Sequence, residues 1–224
     1  MSQTEAVEKL FDEWAEEDGA IEMSHEHWPR VSQVLKDIAP SSGNYLEVGV
    51  GNGYTIRYIA EAIFSEGRCY GVDISQGMVE CAVAQTAKLG NVKLEVADFL
   101  SWRSPDEIDF DLIFSMEVFY YFEDVEANIR KAANLLSPNG ELIIMVDYFL
   151  ENPSSHFWED ELGLPLALWS KSEYSAAFSA AGLADVRQVV ISGGHREQGF
   201  TLCTRGRKVS RNCVSQSDRS DLSC

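Results

Sequence analysis

Basic residues are scarce in this 224-residue chain: 18 Lys and Arg stand against 36 Asp and Glu, a formal net charge of -18. That balance argues against the broad basic surface needed to hold nucleic acid or an anionic membrane, leaving room only for a local basic groove, and neither is expected as a partner. Cysteine is thin as well. The five fall at positions 69, 81, 203, 213 and 224, an odd number with no Cys-x-x-Cys pair and no His/Cys cluster of zinc-like spacing, and no metal site is expected. Three of them lie in apolar-periodic segments, where free cysteine acts as a small core residue, and a reducing, cytoplasmic compartment is the expectation. No apolar run approaches the length of a bilayer span. The opening "MSQTEAVEKLFDEWAEEDG" is acidic and amphipathic, unlike the basic-then-apolar profile of a secretory leader.

What the chain does have is enough apolar residues, 45%, to fill one α/β domain. Val7, Leu10, Phe11 and Trp14 recur at helical spacing, and a second helix is predicted from about Trp28 to Ile38 with Pro29 in its first turn. Strands and helices then alternate. "NYLEVGV" (44–50) is a strand and 54–64 a helix; "RCYGVDI" (68–74) is a strand and 76–88 a helix stopped at Leu89-Gly90. "NVKLEVAD" (91–98) and "FDLIFSME" (110–117) are strands, 123–136 a helix, "SPNG" (137–140) a turn and "ELIIMVDY" (141–148) a fifth strand. A helix over 171–181 and two consecutive strands, 186–192 and 199–205, close the pattern, the pair joined through "GGHREQ" (193–198). Such alternation predicts a parallel sheet with helices on both faces and one antiparallel strand at the end. The expected organisation is an N-terminal helical cap over 1–40, one domain over 41–206 with a lid-like insertion at 149–169, and a structureless tail over 207–224.

"YLEVGVGNGYTIRYIA" (45–60) places Gly49, Gly51 and Gly53 between the first strand and its helix. Each costs about 0.5–1 kcal/mol inside a regular element, so the chain either turns sharply there or is approached very closely by something else. At this point of an open α/β sheet, ligands bind at the carboxyl ends of the strands. Asp73 ends the second strand, where a carboxylate can accept two hydrogen bonds from ribose hydroxyls; capping the next helix is the alternative, a task Ser75 can also serve. Asp98, followed by Phe99, ends the third, where the pair either frames an adenine ring or forms a turn with a core aromatic.

With these residues the chain resembles the class I S-adenosylmethionine-dependent methyltransferases, in particular the small-molecule enzymes with a methyltransferase type 11 domain. Glu47-x-Gly49-x-Gly51-x-Gly53, Asp73, Asp98-Phe99, "FDLIFSMEVFYYFED" and "LLSPNGELII" look like that family's successive motifs over about 45–146. The resemblance implies a doubly wound, Rossmann-like sheet of seven strands in the order 3-2-1-4-5-7-6, strand 7 antiparallel, with helices ahead of it. It also implies S-adenosyl-L-methionine as cofactor, with Glu47 near its amino-acid end, the three glycines beneath it, Asp73 and Ile74 at the ribose with Met78 packed nearby, and Asp98 and Phe99 framing the adenine. Met116 and Glu117 would line the crevice toward the acceptor. Glu47 stands where Asp is common in the family.

Methyl transfer from a sulfonium is an in-line displacement with an already activated leaving group, so alignment and exclusion of water matter most and a general base is optional. The acceptor is expected to be a small molecule, held by "MSHEHWPR" (23–30) and "YFLENPSSHFWEDELG" (148–163). His27, Trp28, Tyr120, Tyr121, Tyr148, His156 and Trp158 are the candidates, with His27, Tyr120 and His156 as the catalytic residues; core or lid packing is the alternative for each aromatic and a capping or surface role for each histidine. Paired reactive cysteines for arsenite methylation are missing. A nicotinamide dehydrogenase would need Gly-x-Gly-x-x-Gly, and Tyr54 occupies the slot of its third glycine. A non-catalytic protein that keeps the cofactor pocket for regulation is the remaining alternative.

Overall fold

Strands covered on both faces read as nearly unbroken apolar runs, and the residues of each run then divide by parity between two separate cores. The computed structural model, which describes residues 2–16, 19–39, 41–192 and 200–209, shows this division. On β1 (Asn44–Val48) Tyr45 enters one core, Leu46 and Val48 the other. On β5 (Leu136–Val146) Ile143 and Met145 alternate in the same way with Leu142, Ile144 and Val146.

The remaining strands are β2 (Arg68–Asp73), β3 (Val92–Val96), β4 (Phe110–Met116), β6 (Leu183–Ser192) and β7 (Phe200–Lys208). They form a single seven-stranded sheet, order β3-β2-β1-β4-β5-β7-β6. β7 is antiparallel to both β5 and β6, and the β1–β2, β1–β4, β2–β3 and β4–β5 pairs are parallel. The helices are α1 (Gln3–Glu16), α2 (Gly19–Leu35), α3 (Tyr54–Tyr58), α4 (Gln76–Thr86), α5 (Val125–Leu135), α6 (Trp158–Leu162) and α7 (Lys171–Ala180). α3 runs on into a π-helical turn over Ile59–Ile63, so the two together fill the predicted helix of 54–64.

Four local readings change. Pro29 lies inside α2 rather than in its first turn. An internal proline costs about 3 kcal/mol; buried Val31, Val34 and Leu35 beyond it, and an ion pair of buried Arg30 with Asp147 at 2.8 Å, offset that cost. The turn of 137–140 is carried within β5 as an excursion, where the register against β4 jumps from Phe110↔Leu136 to Leu112↔Glu141 and Asn139 adopts φ 68°. β6 begins three residues earlier than its apolar pattern, with an irregularity between Ala184 and Arg187 where Asp185 takes φ 52°. β7 extends through Lys208, so Arg207 and Lys208 of the expected tail belong to the sheet; the rest of that tail from 210, and the connection 193–198, lie outside the described residues. Cys69 and Cys203 are buried and free, their thiols pushed up to about 12 chiefly by burial. Among the described residues no helix is long and apolar enough to cross a membrane, and no His/Cys/Asp/Glu group could hold a metal.

Candidate active site

The carboxyl ends of β1, β2 and β4 open into a cavity of about 920 Å³. Its roof is α1, whose Val7, Leu10, Phe11 and Trp14 face inward. Asp12 Oδ1 accepts hydrogen bonds from Ser75 Oγ (2.6 Å) and the Gly77 amide (3.0 Å), fixing α1 to the start of α4. Gln3 Nε2 donates to the carbonyls of Tyr121 (2.9 Å), on the cavity wall, and Pro165 (3.0 Å).

All three glycines of the first loop have positive φ, 72°, 51° and 85° in order, and each answers a different need. A Cβ on Gly49 would lie 2.2 Å from Val118 Cγ2, and one on Gly53 2.8 Å from the Ala82 backbone of α4. A Cβ on Gly51 would meet no atom within 4 Å, because that position faces the cavity. The sharp turn and the close approach are both real, at different glycines.

Asp73 is pinned above this loop. Its Oδ2 accepts from the Gly51 amide at 2.8 Å and its Oδ1 from the Ser75 amide at 3.0 Å. Burial raises its pKa against the pull of these amides. The helix cap is Ser75, which accepts from the Met78 amide at 3.0 Å, so Asp73 is left to order the loop and face the cavity. Asp98 accepts from the Leu100 and Ser101 amides at 3.3 and 3.1 Å, and Phe99 beside it is buried under Lys131, whose Nζ stands 5.0 Å from the ring centre. Glu47 is buried with Tyr45 Oη donating to its Oε2 at 2.9 Å. Burial raises its pKa well above the usual range, Asp73 adds to this, and the Tyr45 hydrogen bond opposes it.

The other end of the cavity is built around Glu117, a non-glycine residue at φ 58° immediately after β4. One of its oxygens accepts from the Asp147 amide, and the other from Tyr120 Oη at 2.8 Å. Asp147, directly after β5, accepts from Thr201 Oγ1 and pairs with Arg30 of α2. Arg30 Nε is buried with no partner among the described residues. His27, one turn earlier on the cavity wall, is held near pKa 3, first by burial and then by Arg30.

Of the residues singled out from sequence, the cavity wall gathers Glu47, Gly49, Gly51, Asp73, Ile74, Met78, Asp98, Phe99, Met116, Glu117, His27, Tyr120, Tyr121 and Trp158. Four others are elsewhere. Gly53 packs helix against helix, and Trp28 stacks edge-on against Tyr54 and Tyr58. Tyr148 is buried behind Trp158 with near-parallel rings 6.2 Å apart, and His156 stands off the wall with Nε2 3.4 Å from the Phe149 carbonyl oxygen. Arg30 and Asp147 escaped the reading of the sequence. The available signal was an acid at the end of the fifth strand, the position Asp73 holds on the second.

The donor set fits a cationic adenosyl ligand. Among the described residues, Glu47 and Glu117 are buried carboxylates without a basic side chain in direct contact, Gly51 leaves open space, and the only basic side chain on the wall besides His27 is Arg30, already paired. A sheet of this order with an acid-lined cavity at the carboxyl ends of its strands has the form of an open α/β ligand-binding domain. A methyltransferase domain family matches residues 46–144. An uncharacterized methyltransferase of Anoxybacillus flavithermus is 31% identical over 149 residues, 63% of this chain and 67% of its own length. The uncharacterized methyltransferase YcgJ of Bacillus subtilis is 30% identical over 146 residues, 62% of this chain; the match spans just over half, 56%, of that relative. In a structure of the complex between the Haloferax volcanii Trm112 methyltransferase activator and a methyltransferase, the matched chain superposes with a TM-score of 0.80 at 28% identity, covering 89% of this chain and 98% of that one. The chain belongs to the S-adenosylmethionine-dependent methyltransferases with a methyltransferase type 11 domain, which sets aside the nicotinamide alternative.

Proposed function

We propose that the protein methylates a small-molecule acceptor enclosed between Tyr120, Trp158 and α2, with the cofactor held between the Gly51 loop, Asp73 and Asp98. The observation that carries this reading is the single roofed cavity: the same 920 Å³ space touches Gly51 and Asp73 at one end and Tyr120, Asp147 and Trp158 at the other. A space closed by α1 and by residues 149–169 suits an acceptor the size of a metabolite and keeps water from the reacting atoms.

The bound cofactor supplies a methyl group on a positively charged sulfur. The protein's share is orientation and electrostatics. Asp73, already ordered by two amides, presents its remaining lone pairs to the ribose hydroxyls, and Glu47 receives the amino group of the amino-acid end. Asp98 and Phe99 meet the adenine edge and face, and Met116 and Met78 supply apolar contact beneath. The carboxylates favour a cationic donor over its neutral product, which aids release after transfer.

Replacing Asp73 by Ala tests the assignment. Loss of two charge-assisted hydrogen bonds weakens binding of S-adenosylhomocysteine by about 2–4 kcal/mol in calorimetry. The circular-dichroism melt serves as a fold control, because Asp73 also orders Gly51 and Ser75. Wild-type affinity in a folded variant would refute the ribose role. A pool of small metabolites incubated with methyl-labelled cofactor identifies the acceptor.

A further inference from the structure

Among the described residues, Glu107, Glu117, Asn139 and Asp185 are the non-glycine residues with positive φ, and of these Glu117 alone lines the cavity. Left-handed backbone at a glutamate costs about 1–2 kcal/mol, so the surrounding structure must hold it there. That conformation aims both carboxylate oxygens at donors, the Asp147 amide and Tyr120 Oη. Tyr120 is itself buried on the cavity wall, packed against Tyr148 and Trp158 with ring centres 5.4 and 6.2 Å away.

Resting on the proposed small-molecule reading, we propose that Glu117, through the Tyr120 hydroxyl, takes up the proton that the acceptor's nucleophile loses, so that the acceptor is a hydroxyl or amine compound whose reacting atom carries hydrogen. The acceptor's O–H or N–H bond breaks as its proton passes to Tyr120 Oη, and the Tyr120 proton passes to Glu117. The electron pair left on oxygen or nitrogen forms the bond to the methyl carbon, and the carbon–sulfur pair stays with sulfur as a neutral thioether. Charge balances, because a carboxylate and a sulfonium become a carboxylic acid and a thioether.

The groups facing Glu117 support this role. Arg30 from α2 and Asp147 after β5 neutralise one another, and Tyr54 from α3, Tyr120 and Tyr121 after β4, and Tyr174 from α7 are phenols that burial keeps protonated. Burial first, and then Asp147, raise the Glu117 carboxyl well above its ordinary value, which makes the ionised form a stronger base. Neither histidine expected from the sequence competes. His27 at about 3 is too weak a base, and His156 is off the wall.

The test compares proton release when the protein binds S-adenosylmethionine and S-adenosylhomocysteine, by calorimetry in buffers of different ionisation heat. A cation beside Glu117 favours its carboxylate and lowers its pKa, so the sulfonium compound expels more protons than the thioether, by as much as one. The amino-acid end is common to both compounds, and Glu47 cancels in the difference. Glu117→Gln is expected to bind both with no difference in protons. Tyr120→Phe, having lost a hydrogen bond to the ionised form, keeps the difference and moves it to higher pH. Transfer of labelled methyl to the metabolite pool falls about 100-fold in both variants. A proton difference that survives in folded Glu117→Gln, or wild-type transfer in Tyr120→Phe, overturns the proposal. A wild-type protein that binds neither compound overturns the cofactor reading instead, and one that binds both with equal proton release overturns only the role of Glu117.

Discussion

Gly51 and Gly53 stand two positions apart, share a left-handed backbone and answer to different forces. At Gly53 an added Cβ is stopped by the main chain of α4, which cannot move aside without displacing a helix. Gly53→Ala therefore combines backbone strain of about 1–2 kcal/mol with overpacking of about 1–3 kcal/mol, all of it lost from stability. At Gly51 only the strain applies, because the methyl enters open cavity. Gly51→Ala is expected to fold with a loss of about 1–2 kcal/mol while its affinity for S-adenosylhomocysteine drops at least about tenfold, or 1.4 kcal/mol. Urea unfolding and calorimetry on the two variants separate the effects; a Gly51→Ala protein that binds as the wild type would mean that the cofactor does not approach this loop. From sequence the three glycines were legible as a loop of special backbone, but their division of labour was not, since it depends on Val118 and Ala82, which come from other elements. Asp73 and Asp98 stood out in the sequence because each falls at or just beyond the carboxyl end of an apolar strand, where an open α/β sheet faces its ligands, whereas Glu47 stood out only through the resemblance of its loop to the family motif.

At the scale of elements, α2 shows what local pattern omits. Its internal Pro29 argues for a helix that starts there, and tertiary contacts override that signal: the burial of Val31, Val34 and Leu35 and the pairing of Arg30 with Asp147, distant in sequence. The sheet order was legible because alternation of strand and helix leaves few topologies and the family motifs select one. The excursion at 137–140 and the early start of β6 were not, since irregular pairing is settled by the partner strand. The Arg30–Asp147 pair carries a measurable load. With both side chains nearly dry, Arg30→Met leaves a buried carboxylate uncompensated, and about 3–5 kcal/mol of unfolding free energy is expected to be lost. Adding Asp147→Asn recovers much of this, because an amide needs no countercharge and can still meet Thr201. If the single Arg30→Met change costs less than about 1 kcal/mol, the pair is effectively solvated and α2 is held by its apolar face alone.

Over the whole molecule the same sign of charge recurs far beyond the cavity. The formal charge of -18 is spread over surfaces such as α1, where Glu5, Glu8, Glu13 and Glu16 are accompanied by Lys9 alone as a basic residue. Self-repulsion on this scale opposes the compact state and acts through solvent, where salt screens it. The close pairs Arg30–Asp147 and Arg205–Glu141 are shielded by burial and respond much less. The Debye length shrinks from about 10 Å at 0.1 M to about 3 Å at 1 M salt, so the repulsive component fades across that range while the buried pairs persist. The melting temperature is therefore expected to climb steadily with sodium chloride, by about 2–4 °C for each kcal/mol of repulsion removed at this chain length. Sucrose at matched osmolality separates screening from general exclusion of cosolute. A melting temperature that stays flat or falls as chloride rises would show that attractive surface pairs, such as Arg57–Glu61 and Lys9–Glu13, outweigh the excess of carboxylates.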